Sequence, residues 1–117
     1  MIGVSGSPEE VAKAVKAFRV YARKAPQADG SYSMDHSSAM LLFDDQGEIR
    51  ARYDKLHMFD VDINDSHGHY RESDTYQHGQ QLTVVDTPVG RLGMTICYDL
   101  RFPALFQALR AQGAELI

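Results

Sequence analysis

Apolar residues follow a helical rhythm early in the chain and an alternating, strand-like rhythm later. Ser7-Pro8-Glu9-Glu10 reads as a helix start, with Ser7 as the cap, Pro8 in the first turn and Glu10 completing a capping box. Val11, Val15, Phe18 and Ala22 then follow one face while Lys13, Lys16, Arg19 and Arg23 take others. That spacing predicts an amphipathic surface helix of about four turns, ending near Pro26. Residues 26–38 are mostly small and polar, and Asp29-Gly30 with Ser31-Tyr32-Ser33 signals a loop and a boundary. The chain thus reads as an N-terminal helix and loop, 1–37, followed by a second part, 38–117.

The second part alternates as strands do. Ala39–Phe43 and Glu48–Tyr53 flank Asp44-Asp45-Gln46-Gly47, whose glycine can close a short hairpin in the left-handed conformation. Leu82–Asp86 and Arg91–Ile96 form a second pair, joined through Thr87-Pro88-Val89-Gly90. Between them, residues 55–81 hold four of the five histidines and little periodicity, as in the long loops of compact domains that are functional or disordered. After Ile96 comes Cys97, then a helix predicted over Pro103–Gln112 with Phe102, Leu105, Phe106 and Leu109 on one side and Gly113 as its stop. Ala114–Ile117 reads as the start of another strand, parallel to the one before the helix. A strand that short buries little to offset its ordering entropy, so the sequence reads as cut off there.

Composition narrows the classes of function. With 117 residues, 44% hydrophobic and 24% charged, the chain fits one modest globular α/β domain. Its 12 Lys and Arg stand against 16 Asp and Glu with no basic block, which argues against nucleic acid or an anionic membrane as partner. No apolar run approaches the ~18 residues of a membrane span, and no leader pattern follows Met1, so a cytoplasmic location is expected. One cysteine cannot form an internal disulfide, which agrees with a reducing compartment and leaves a free thiol.

That thiol sits where a strand gives way to a helix, a corner that exposes a nucleophile beside free backbone N–H groups. Cys97 is therefore a catalytic candidate before it is a core residue. A thiol of ordinary pKa is only a few per cent thiolate at neutral pH, so it needs a base and a cation or N–H donors nearby. Lys55 at the end of a strand can point its ammonium into a cleft, and Glu72 in the long loop can support it. A different reading takes His57, His67, His69 and His78 as zinc or copper ligands, although their spacing matches no strong metal motif.

Taken together, the motifs are recognisable. Lys55-Leu-His-Met-Phe-Asp-Val-Asp62, Arg71-Glu-Ser73 with Gly79 beyond, and Asp86-Thr-Pro-Val-Gly-Arg-Leu-Gly93 leading to Cys97-Tyr-Asp-Leu-Arg-Phe-Pro103 closely resemble the nitrilase superfamily of carbon–nitrogen hydrolases. The resemblance covers residues 38–117 and is nearest to the Nit-type amidases, the group that includes deaminated glutathione amidase and ω-amidase. It implies part of an α-β-β-α sandwich, a Glu-Lys-Cys triad, and no metal or organic cofactor. It also implies that Cys97 attacks the carbonyl of a small carboxylated amide and forms a thioester with loss of ammonia. Lys55 and the backbone N–H of Tyr98 would stabilise the oxyanion, and Glu72 would orient the lysine and the substrate. Asp99 and Arg101 would hold the corner together.

Some positions depart from the family pattern. The expected position of its general-base glutamate falls before residue 1, and Glu9 and Glu10 lie in a helix start instead. Ala104 replaces a usual glutamate. The chain by itself is accordingly expected to be inactive, the central part of an amidase whose full-length form pairs as a homodimer. The alternatives are a catalytically silent remnant or interaction module and a histidine-based metal-binding module.

Overall fold

The computed structural model describes residues 5–27, 29–62 and 69–117, and it divides into two compact units, Met1–Ser37 and Ser38–Ile117. In the first unit the capping box forms as the sequence dictates. The Ser7 side chain accepts from the Glu10 N–H at 3.3 Å, and Glu10 Oε2 accepts from the Ser7 N–H at 2.8 Å. Helix α1 spans Pro8–Ala17 and buries none of its residues.

The helix is shorter than its apolar spacing predicts. Arg19 adopts φ 53°, a left-handed conformation that no helix continues through, while Phe18 and Val20 donate back to Ala14 and Val15. Ala22 therefore lies in a strand, β1 (Ala22–Pro26), and not on the helical stripe. The loop expected over 26–38 also contains a strand, β2 (Tyr32–His36), antiparallel to β1. Sequence spacing marked the Asp29-Gly30 turn correctly, with Gly30 at φ 84° and Ser31 bonded to Asp29. It missed the cross-strand pairing of short polar strands on either side, whose ladder supplies what their side chains do not.

In the second unit β3 (Ala39–Phe43) and β4 (Ile49–Asp54) form the first expected hairpin, closed by Asp44 and by Gly47 at φ 80°. Along β4, Arg50 and Arg52 are exposed while Ala51, Tyr53 and, just past the strand, Lys55 turn inward. The long segment that follows carries two short antiparallel strands, β5 (Asp60–Asp62) and β6 (His69–Arg71), and a 3-10 turn at Glu72–Asp74. The second expected hairpin is β7 (Val84–Thr87) with β8 (Gly90–Gly93). A 3-10 helix at Cys97–Arg101 then leads into α2 (Pro103–Ala111), and Gly113 at φ 90° turns the chain back. Leu116 forms a parallel bridge with Leu92 of β8, completing the predicted strand-helix-strand crossover.

The core of this unit is Leu105, Leu109 and Ala114, with Leu56, Leu82, Val84, Phe102 and Phe106 packed against it. Leu105 and Leu109, four residues apart, share one face of α2 and pack with these side chains, and each stabilises the fold by about 1.5–3 kcal/mol. Among the described residues no helix is long and apolar enough to cross a membrane.

One polar residue lies as deep as this core. Asp99 has no exposed surface, and both its oxygens are occupied. Oδ2 accepts from the Tyr53 hydroxyl at 2.7 Å and the Ile96 N–H at 2.9 Å; Oδ1 accepts from the His57 N–H at 3.0 Å and from His57 Nδ1 at 2.7 Å. Burial alone would raise the Asp99 pKa, but the bonds from Tyr53, Ile96 and His57 together outweigh it and hold it below the ordinary carboxylate value. Burial, then the bond to Asp99, pushes the Tyr53 hydroxyl well above its usual range.

Because the Asp99 pKa is lowered by folding, its contribution is fully present above the unfolded value near ~3.9 and is lost as pH falls through the folded value below it. Asp99→Asn should therefore cost about 2 kcal/mol at pH 7 by urea unfolding, a gap that narrows below about pH 4; a gap independent of pH would contradict the assignment. Gly79 packs so closely on the Asp54 carbonyl that a Cβ there would overlap it, while its N–H bonds to the Lys55 carbonyl at 2.7 Å. Gly79→Ala should lower stability by about 1–3 kcal/mol in the same assay.

Candidate active site

Lys55 continues the inward face of β4, and its side chain is 3% exposed. A buried ammonium requires a counter-charge, and Glu72 supplies it: Nζ lies 2.6 Å from Glu72 Oε2. The same Oε2 accepts from the Phe59 N–H at 2.7 Å, and the Glu72 N–H donates to the Phe59 carbonyl at 3.3 Å. Glu72 is thereby fixed from both its side chain and its backbone. The Ser73 N–H, donated to Asp60, anchors the next residue of the turn.

Cys97 opens the 3-10 helix and is exposed. Its φ of 48° is uncommon for a residue with a side chain, and it follows Ile96 in extended geometry at φ −131°. The backbone thus reverses its hand in one step and lifts the thiol out at the corner, as the sequence led us to expect. The reversal is stapled by Ile96 and Asp99: the Asp99 N–H donates to the Ile96 carbonyl at 3.0 Å, and the Ile96 N–H donates to the Asp99 carboxylate. Between these two bonds the Tyr98 N–H meets no acceptor among the described residues, leaving it available to an oxyanion.

The lysine segment and the cysteine turn share Asp99. Tyr53 and His57, each two residues from Lys55, bond to a carboxylate two residues beyond Cys97. Aromatic contacts reinforce the join. The His57 ring stacks on Phe102 at 3.6 Å between centroids, Phe59 meets Tyr98 edge-on at 5.0 Å, and Tyr98 meets Phe102 at 5.5 Å. The geometry therefore combines an exposed thiol, a free N–H beside it and a buried, paired ammonium on one framework.

Of the residues singled out from sequence, Lys55 and Glu72 are in direct contact, and Asp99 bonds both to the segment around Lys55 and to the turn that carries Cys97 and Tyr98. Arg101 is exposed on the 3-10 helix. Sequence reasoning missed Tyr53 and the Phe59 N–H. A tyrosine two positions before a buried lysine on one strand face was the available signal for Tyr53; nothing in the side chains announces a backbone donor. His67 lies outside the described residues. Among those described, no three His, Cys, Asp or Glu side chains converge to hold a metal, and His57 and His78 bond instead to Asp99 and to the Gly79 carbonyl.

The sequence is similar to known proteins over most of its length. The family model for carbon-nitrogen hydrolases matches residues 15–117, a stretch that begins ahead of the motifs. Over 81 residues, 69% of this chain and 28% of the relative, the sequence is 78% identical to a deaminated glutathione amidase of Yersinia enterocolitica. It is 46% identical over 77 residues to a deaminated glutathione amidase of Dictyostelium discoideum, covering 66% of this chain and 26% of that protein. With a chloroplastic omega-amidase of Arabidopsis thaliana it shares 43% identity over 76 residues, 65% of this chain and 20% of the relative. The chain thus spans 20–28% of the length of these relatives. Its mixed helices and strands are a part of their α/β fold, and the chain belongs to the carbon-nitrogen hydrolase family.

Proposed function

We propose that this chain contributes the nucleophile and the oxyanion-binding side of an amidase acting on a small carboxylated amide. The observation that carries the reading is the buried Lys55–Glu72 pair, tied through Asp99 to the turn that exposes Cys97. Cys97 Sγ attacks the amide carbonyl carbon, and negative charge develops on the carbonyl oxygen. The Lys55 ammonium and the Tyr98 N–H stabilise that charge. Collapse of the tetrahedral species breaks the C–N bond; the thiol proton leaves with the nitrogen as ammonia, and the acyl group stays on sulfur as a thioester. Water then adds to the thioester carbonyl, releasing a carboxylic acid and returning its second proton to the thiol.

Glu72 accepts from Lys55 in the resting site and keeps the ammonium aimed. No residue of this chain is assigned as the base that takes the thiol proton, since Glu9 and Glu10 stand in the first turn of α1 and Glu10 is engaged in its cap. The chain alone is therefore proposed to lack turnover. The names of the relatives support an ω-amide or deaminated-peptide amide as substrate class. A cytoplasmic setting, supported by the single unpaired thiol, and a homodimer of the full-length protein belong to the same proposal.

The test is a chimera in which residues 38–117 replace the matching segment of the 78%-identical relative. It should release ammonia from that relative's substrate within about tenfold of the parent rate. Cys97→Ala in the chimera should abolish turnover, and Lys55→Met should lower kcat by about a thousandfold while the protein stays folded. A folded chimera without activity, or one that tolerates Lys55→Met, would refute the reading.

A further inference from the structure

We propose that Asp99 is a positioning residue for this chemistry: its fully occupied carboxylate sets where the Lys55 ammonium stands relative to the Cys97 thiol. The inference rests on the reading of Lys55 and Cys97 given above. Oδ1 receives only donors from the lysine segment, the N–H and ring of His57. Oδ2 receives the Tyr53 hydroxyl, also from the lysine segment, and the Ile96 N–H that begins the cysteine turn. The Tyr53 hydroxyl accepts in turn from the Leu56 N–H at 3.3 Å. One side chain with no solvent exposure therefore fastens the backbone on both sides of Lys55 and just ahead of Cys97.

Only a carboxylate can do this. An asparagine of the same shape has one oxygen, and its amide nitrogen cannot accept. A hydroxyl can rotate and an imidazole can change tautomer to suit it, but the backbone N–H groups of His57 and Ile96 cannot invert. Whichever way the amide is turned, one of those two N–H groups faces another donor. Asp99→Asn thus releases either the lysine segment or the cysteine turn, and the spacing between thiol and ammonium is no longer fixed.

The ratio of alkylation rates of Cys97 with iodoacetate and iodoacetamide reads that spacing in the 117-residue chain. The same thiolate displaces iodide from both reagents, so the ratio cancels its abundance and reactivity and reports the electrostatic field at sulfur. Lys55→Met should lower the ratio by about threefold, and Asp99→Asn should lower it similarly, with no further fall in the double variant. The sign is informative, because removing the Asp99 negative charge without moving Lys55 would raise the ratio. A folded Asp99→Asn protein with an unchanged or raised ratio, beside a lowered one for Lys55→Met, overturns the positioning role and leaves the Lys55–Cys97 reading intact. An additive fall in the double variant also overturns it, since Asp99 would then act other than through Lys55. If Lys55→Met leaves the ratio unchanged, both fall together. Should Asp99→Asn fail to fold, Tyr53→Phe, which keeps the carboxylate and three of its donors, gives the decision: a lowered ratio supports the role and an unchanged one overturns it.

Discussion

A carboxylate excluded from solvent must find hydrogen-bond donors for its charge or give the charge up, and Asp99 finds four. The consequences reach well beyond one residue. Tyr53 is held at zero exposure on β4, Leu56 and His57 are held in the segment after it, and the Ile96–Asp99 staple closes the turn at Cys97. His57, once oriented, stacks on Phe102 at the head of α2 and so connects the polar network to the apolar core of Leu105 and Leu109. Breaking such a network at its centre leaves several buried donors unsatisfied, at about 1–3 kcal/mol each.

Lys55 is a second buried charge with a different solution. Its neutraliser is a single carboxylate at 2.6 Å, and that carboxylate is itself fixed by reciprocal bonds with Phe59. A buried pair is not in itself a large source of stability, because desolvation offsets much of the attraction. What the pair provides is a lysine nitrogen held in one place, 2.6 Å from its counter-charge. The two carboxylates thus divide the work: Asp99 joins the elements, and Glu72 sets the lysine.

The sequence made the second unit more legible than the first. Both hairpins of 38–117, the 3-10 corner, α2 with its Gly113 stop and the returning parallel strand were readable because strong turn residues and apolar faces agreed. Lys55, Glu72 and Cys97 could be singled out because their flanking residues form long, ordered motifs, and of these the structure brings Lys55 and Glu72 together and exposes Cys97. In 1–37 the apolar spacing from Val11 to Ala22 pointed to one long helix, whereas a left-handed Arg19 ends it and Ala22 pairs with His36. Pairing between two short polar strands leaves no periodic trace in the side chains. For the same reason the Phe59 N–H on Glu72 could not be read, since backbone donors are common to every residue but proline.

Cys97 shows how the parts of the site depend on one another. A residue with a Cβ in the left-handed region carries a strain of about 1–2 kcal/mol, and an isolated turn would relax away from it. Here relaxation would pull Ile96 from the Asp99 carboxylate or Asp99 from the Ile96 carbonyl, and both bonds are part of a buried network. The conformation that exposes the thiol is therefore maintained by residues that do not touch it. Those same residues lead back to Tyr53 and His57 on either side of the lysine. An exposed thiol and a buried ammonium are in this way joined through one network of hydrogen bonds centred on Asp99.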